Sequence, residues 1–269
     1  MPNKIDHCFA RLRGEKRKAF IPYICAGDPN LERTIDLAHA LEKAGADILE
    51  LGLPFSDPLA DGIVNQLAAQ RALAAGATAA GVLNCVRAIR AKSNIPIVLY
   101  SYLNPIFQFG FEKFHNEAEK AGVDGLLLLD LPPEEDLAER NGGGVRNENV
   151  FHIRLIAPTT PTDRVKAIAA KAEGFLYYVS REGVTGARDQ IADSLGDRVK
   201  ELRKLSDLPI AVGFGISNPD QARDVARYAD AVVVGSAIVD LIAKNGAKRD
   251  LIEEVGSFAH QLASAVKSV

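Results

Sequence analysis

The chain has 269 residues, 47% of them hydrophobic and 25% charged, with a formal net charge of −3. This is ordinary globular composition, and the length suits one large domain or two small ones. Acids and bases are mixed along the chain, which points away from a nucleic-acid or membrane-surface partner, and no apolar stretch reaches the ~18 residues of a membrane span.

The N-terminal stretch MPNKIDHCFARLRGEKRKAF carries basic residues without an apolar run, so no secretory signal is expected there. Short aliphatic runs then alternate with longer amphipathic ones. The strand candidates are Ala19–Cys25, Asp47–Leu51, Pro96–Tyr100, Gly125–Leu129, Val150–Leu155, Phe175–Val179, Pro209–Val212 and Ala231–Val234. Their continuous apolar character suits parallel strands buried on both faces. Between them the spacing predicts helices over Leu31–Ala44, Gln66–Ala75, Ala79–Lys92, Phe111–Ala121, Thr162–Ala172 and Pro219–Tyr228, with a last one over Arg249–Lys267. A short extra helix before Leu31 is also expected. Capping signals stand in DPNLE before Leu31, TPTDR at Thr160–Arg164 and SNPDQ at Ser217–Gln221. The stretch NGGGVRNEN (Asn141–Asn149) reads as an exposed loop.

Three segments resemble one another: KAGADILELG (Lys43–Gly52), KAGVDGLLLLD (Lys120–Asp130) and RYADAVVVGS (Arg227–Ser236). Each reads as helix end, turn, strand, then a functional-looking residue at the strand exit. Repeated αβ units with right-handed crossovers predict the α/β class: a single (β/α)8 TIM barrel over residues 1–269, with extra helices and of the phosphate-binding type. An open doubly wound sheet is the competing architecture.

In such a barrel the site lies at the C-terminal ends of the strands. Glu50 interrupts an apolar strand, where a charge is costly unless it is paired or its pKa is raised. It therefore has either a structural partner or a catalytic use. Asp61 follows in the next loop. Asp130, at the end of the fourth strand, reads equally as a third acid of the pocket or as a helix or loop cap, and Asp57 reads as a turn residue. VGFGIS (Val212–Ser217) and VVVGSAIV (Val232–Val239) follow the seventh and eighth strands, the second running into a short helix. Gly215, Gly235 and Ser236 there could cradle a phosphate, or the two loops could be ordinary turns. The polar stretch SREGVTGARDQ (Ser180–Gln190) suits a mobile lid, about residues 180–193, or a plain surface loop.

Absences narrow the chemistry. No lysine lies inside a strand, so a Schiff base is not expected. His7, His39, His115, His152 and His260 are scattered without metal-ligand spacing. Cys8, Cys25 and Cys85 show no C-x-x-C spacing and read as reduced thiols in a reducing compartment, in keeping with a cytoplasmic location. Neither a Gly-x-Gly-x-x-Gly nor a Walker sequence occurs. What remains is carboxylate acid–base chemistry on a phosphorylated small molecule, with no metal or organic cofactor.

The stretch LELGLPFSDPLADG (Leu49–Gly62) resembles the signature of the tryptophan synthase alpha subunit. FIPYICAGDP, RLIAPTTP, YYVSREGVTGAR, VGFGISNPDQ and VVVGSAIV resemble its other blocks in the same order. The resemblance implies retro-aldol cleavage of indole-3-glycerol phosphate to indole and glyceraldehyde 3-phosphate. It implies Glu50 as general acid/base, acting at indole C3 and at the glycerol hydroxyl, and Asp61 as the partner of the indole N–H. It places phosphate on Gly186, Gly215, Gly235 and Ser236. It sets Tyr23, Tyr177 and Phe214 around the indole and glycerol chain, and pairs Thr185 of the lid with Asp61 on closure. A β subunit carrying pyridoxal phosphate (PLP) would take the indole in an α2β2 complex, meeting Pro54–Leu59 and the region around Asn104–Phe107. No cofactor is expected in this chain.

Two departures from the family pattern stand out. Ile63 and Asn65 replace the usual Pro and β-branched residue after Asp61. Tyr100 stands where an aliphatic residue or Met is more usual. Competing readings are a stand-alone lyase, a non-catalytic barrel that activates a partner, and another phosphate-binding barrel enzyme such as an isomerase.

Overall fold

The computed structural model describes residues 3–135, 149–179, 188–213 and 215–269, with 188–194 described by backbone alone. Eight parallel strands close into a barrel in sequence order: β1 Ala19–Cys25, β2 Leu49–Gly52, β3 Ile97–Ser101, β4 Gly125–Leu128, β5 Phe151–Ile156, β6 Leu176–Val179, β7 Ile210–Gly213 and β8 Ala231–Val234. β8 pairs with β1 through Ala19↔Ala231 to Pro22↔Val234, which closes the ring. The open-sheet alternative is thereby excluded.

The described helices are α1 Lys4–Gly14, α2 Leu31–Ala44, α3 Ile63–Ala74, α4 Ala79–Arg90, α5 Leu103–Phe109, α6 Phe111–Ala121, α7 Thr162–Ala170, α8 Arg188–Arg203, α9 Pro219–Ala226, α10 Ser236–Asn245 and α11 Leu251–Val266. Among the described residues no single helix is long and apolar enough to cross a membrane. The expected extra helix before Leu31 is absent from the β1–α2 connection, where Ala26–Asn30 forms a turn. The extra helix is α1, ahead of β1. Helix α8 already begins at Arg188, so the expected lid segment 180–193 is helical over its last residues. Residues 180–187 and most of the NGGGVRNEN stretch lie outside the described residues.

Two apolar layers hold the barrel. Inside it, Ala19, Ile21, Val98, Leu127, Ile153, Phe175, Ala211 and Val233 fill the lumen. Helix α1 is amphipathic through Ile5, Phe9 and Leu12, which bury against this set, with the Phe9 and Phe175 rings 5.7 Å apart. Outside, Leu51, Leu99, Leu126, Tyr178 and Val212 pack against the ring of helices. Each fully buried Leu or Ile contributes about 1.5–3 kcal/mol.

The repeated segments acquire a physical reason. Asp47, Asp124 and Asp230 stand just before β2, β4 and β8, and each carboxylate accepts an N–H from the first or second residue of the preceding neighbour strand. Phe20 N donates to Asp47 at 3.0 Å, Ile97 N to Asp124 at 2.8 Å and Ile210 N to Asp230 at 2.9 Å. Each also meets a cation: Asp47 meets Arg11 and Lys267, Asp124 meets Arg90 and Lys4, and Asp230 meets Arg203. The glycines of the first two repeats, Gly45 and Gly122, end α2 and α6 in the left-handed conformation at φ 109° and 90°. The repeated Asp therefore fastens the bottom of the barrel, opposite the strand exits where catalytic groups gather.

Candidate active site

Glu50 is the second residue of β2 and pairs with Tyr23 of β1 and Val98 of β3. Val98 belongs to the barrel lumen, and register partners in neighbouring parallel strands share a face, so Glu50 points inward. Only 2% of it is exposed, and among the described residues its carboxyl has neither a hydrogen-bond nor an ion-pair partner. Burial is the main force raising its pKa, and the nearby charge of Asp61 adds to it; together they lift it from an ordinary 4.5 to about 8. The structural-partner reading of Glu50 is therefore not supported, and the group is a carboxylic acid at neutral pH.

Asp61 lies in the loop between β2 and α3. Its two oxygens are held separately: Tyr100 donates its hydroxyl to Oδ1 and Tyr102 donates to Oδ2, each at 2.8 Å. Tyr102 in turn accepts the Ala60 N–H at 3.0 Å, and Gln66 Nε2 donates to the Asp61 carbonyl at 2.8 Å. The loop is thus tied both to the end of β3 and to the first turn of α3. The departures Ile63 and Asn65 leave this turn intact: α3 starts at Ile63, with Asn65 N and Gln66 N bonded to the Gly62 carbonyl.

The aromatic pair at the centre is seated on glycines. A Cβ at Gly52 would lie 2.3 Å from the Tyr23 hydroxyl, one at Gly213 would lie 2.6 Å from that of Tyr177, and one at Gly235 would lie 3.2 Å from Tyr23 Cδ1. Gly235 therefore makes room for a tyrosine ring as well as opening the β8 exit. Burial, with the charges of Glu50 and Asp61, keeps the Tyr23 and Tyr177 hydroxyls protonated far into the alkaline range. Gly52→Ala should displace Tyr23. The expected result is a loss of about 1–3 kcal/mol in stability, as for other overpacked sites, and lowered substrate turnover, read by thermal melts and steady-state kinetics.

At the β8 exit, Gly235 precedes α10, whose first residue is Ser236. Gly215, after β7, has φ 56°, a conformation natural to glycine. The exposed N–H groups of a helix start beside such a loop suit an anion. Thr185, Gly186 and Phe214 lie outside the described residues. Asp130 does not join the acids: it is exposed, and its carboxylate accepts the Leu103 N–H at 2.7 Å, at the start of α5. Asp57 is an exposed turn residue bonded by the Ser56 hydroxyl. Two of the scattered histidines, His115 and His152, stack with ring centroids 5.4 Å apart. Among the described residues no group of three or more His, Cys, Asp or Glu is placed to hold a metal.

Tyr102 is a site residue that the sequence motifs do not single out, and Tyr100, a departure from the family pattern expected to change pocket shape, bonds Asp61 directly. The signal in the sequence is YSY across the end of the third strand: Tyr102 follows β3 with extended backbone, and residues two apart in extended chain share a face, which brings both phenols to Asp61.

The match to known proteins agrees with this geometry. The model of the family described as "Tryptophan synthase alpha chain" matches residues 9–267. The chain belongs to the tryptophan synthase alpha chain family. The tryptophan synthase alpha chain of Opitutus terrae is 47% identical over 266 residues, covering 98% of this chain and 99% of that one. The solved structure of tryptophan synthase subunit alpha from Legionella pneumophila superposes with a TM-score of 0.90 at 40% identity, over 100% of both chains. A chain from the study of mutual activation of the tryptophan synthase a2b2 complex of Pyrococcus furiosus has a TM-score of 0.83 at 37% identity, over 92% of this chain and 99% of that one.

Proposed function

We propose that this alpha chain cleaves indole-3-glycerol phosphate with Glu50 and Asp61 as its acid–base pair. The observation that carries this reading is a carboxyl buried in the lumen without a partner, where burial raises its pKa, beside a second carboxylate fixed by two phenols. Glu50 gives its proton to indole C3, which lets the ring accept electrons as an indolenine. Asp61 holds the ring N–H and stabilises the positive charge that develops there. The C–C bond to the glycerol chain then breaks as the adjacent hydroxyl gives its proton to Glu50. The aldehyde leaves as glyceraldehyde 3-phosphate, the broken bond's electrons restore the aromatic ring, and Glu50 ends protonated as it began. Phosphate is held by Gly186, Gly215, Gly235 and Ser236, with Tyr23, Tyr177 and Phe214 around the indole and glycerol chain, and Thr185 closing over Asp61. The chemistry needs no cofactor of this chain.

The indole passes to a β subunit, whose PLP joins it to serine, in a cytoplasmic α2β2 complex. An apolar surface at the strand-exit end supports that partner: Leu59 is 90% exposed, Ile63 66% and Phe107 63%. Patches of this kind mark protein contacts. The test is indole release from indole-3-glycerol phosphate by the purified chain, with and without a tryptophan synthase β subunit. Slow release that rises sharply with β is expected. Fast release indifferent to β would favour a stand-alone lyase, and no release from the folded chain in either case would overturn the enzyme reading.

A further inference from the structure

We infer that Tyr100 is a positioning residue that holds the Asp61 carboxylate in its working orientation through the Oδ1 hydrogen bond. This rests on the reading of Asp61 as the group that meets the substrate ring N–H. A carboxylate on a loop rotates about its side-chain torsions and is ordinarily bonded by water. Here the loop carboxylate has one phenol on each oxygen, at 2.8 Å in both cases. Tyr102 fixes Oδ2 and is itself engaged by the Ala60 N–H, so it belongs to the loop's own fastening.

Tyr100 differs, because it connects Asp61 to the floor of the site. Its strand position pairs with Gly52, whose missing side chain leaves the space taken by Tyr23. The Tyr23 and Tyr100 rings meet edge to face, with centroids 5.1 Å apart and planes at 67°. Tyr23 packs in turn on Gly235 at the exit of β8. The Tyr100 ring is thus held in place by Tyr23, and its hydroxyl transmits that rigidity to one oxygen of Asp61. Hydrogen bonds between a phenol and an ionised carboxylate are among the stronger ones, and packing that locks the donor makes them effective in positioning. An aliphatic side chain at this place would leave Oδ1 to water or to a group that arrives only on closure.

Positioning acts on turnover more than on binding. Tyr100→Phe keeps the ring and its contact with Tyr23 but removes the hydroxyl. The expected result is a kcat for indole release lowered about tenfold, the effect of one hydrogen bond to a charged group, with KM changed less than twofold. Tyr100→Met, which fills the space without a hydroxyl, should lose at least as much, so the test survives if one variant folds poorly.

Three rates separate this inference from the reading beneath it. Asp61→Asn should be severely impaired, and Tyr100→Phe added to it should lower its residual rate by less than twofold, because the carboxylate that Tyr100 serves is already gone. A Tyr100→Phe enzyme with kcat within twofold of the parent would overturn the positioning role while Asp61→Asn remained impaired. So would a full tenfold loss on adding Tyr100→Phe to Asp61→Asn, since the hydroxyl would then act on something other than Asp61. If Asp61→Asn kept full turnover, the assignment of Asp61 itself would fall, and the positioning inference with it.

Discussion

Glu50→Gln should lower indole release by about 10²–10⁴-fold in a folded protein, the usual contribution of one positioned acid or base. Glutamine keeps the size and the hydrogen-bonding edge of the side chain but cannot give up a proton to indole C3. The pH profile should carry the same signature. With its pKa raised to about 8, Glu50 is protonated at neutrality and ionises above it. In the parent, kcat/KM should therefore fall above about pH 8, because this ratio reports the free enzyme's ionisations. The small residual rate of Glu50→Gln should lack that limb.

The same burial makes a statement about stability. In the folded chain Glu50 binds its proton more tightly than it does in the unfolded chain, whose carboxyl titrates near 4.5. The folded state therefore carries the extra proton between about pH 4.5 and 8, and stability contributed by this group is lost as pH rises through that window. Above it the charge is buried without a partner. Glu50→Gln should be more stable than the parent at pH 9 by on the order of a few kcal/mol, read as a higher melting temperature, and should show little advantage at pH 4. In the role proposed for Glu50, weakening of the fold in the pH range where the group ionises is an expected trade between stability and activity.

The second large effect lies at the opposite end of the barrel. Asp124→Ala should destabilise the protein by about 3–5 kcal/mol, as breaking a buried ion pair typically does, and lower its melting temperature by about 10 °C. Asp124 is buried, and it serves the Ile97 N–H, Arg90 and Lys4 together. Arg90 is itself largely buried, reaching the Gly122 carbonyl at 2.8 Å, and burial lowers its pKa. Removing the carboxylate leaves a buried guanidinium without its counter-charge and a strand N–H without an acceptor. Asp230→Ala makes the fitting comparison. It also serves one strand N–H and one arginine, but Arg203 is 44% exposed, so water replaces the lost partner. Its cost should be about 1 kcal/mol. Equal melting temperatures for the two variants would contradict the account of the repeated Asp.

The strands were legible because a parallel barrel buries both faces of each strand, leaving continuous apolar runs such as Ile97–Leu99 and Ala231–Val234. Asn30 and Asn218 were legible as caps for a purely local reason: each accepts the N–H three residues on, at 2.8 and 3.0 Å. Helix α1 was less legible: Ile5, Cys8, Phe9 and Leu12 have helical spacing, but Lys4, Asp6, Arg11 and Arg13 among them leave only a narrow apolar stripe. Helix α8 is polar along much of RDQIADSLGDRVKELR, so no strong apolar stripe marked it. Glu50 stood out because a carboxylate in an apolar strand conflicts with local preference, and such conflicts gather at functional sites. The Tyr100–Asp61 bond was not legible. It joins a strand end to a loop 39 residues earlier in the chain, and only closure of the barrel brings them together.

The measurement that tests the central claim most directly is a carbon-13 NMR titration of the Glu50 carboxyl in the free protein, its resonance assigned by loss in Glu50→Gln. A midpoint near 8 is expected from a carboxyl buried without a partner beside Asp61. A midpoint near 4.5, the value of an ordinary glutamate, would contradict the account, because Glu50 would then be ionised at neutrality and unable to supply the first proton.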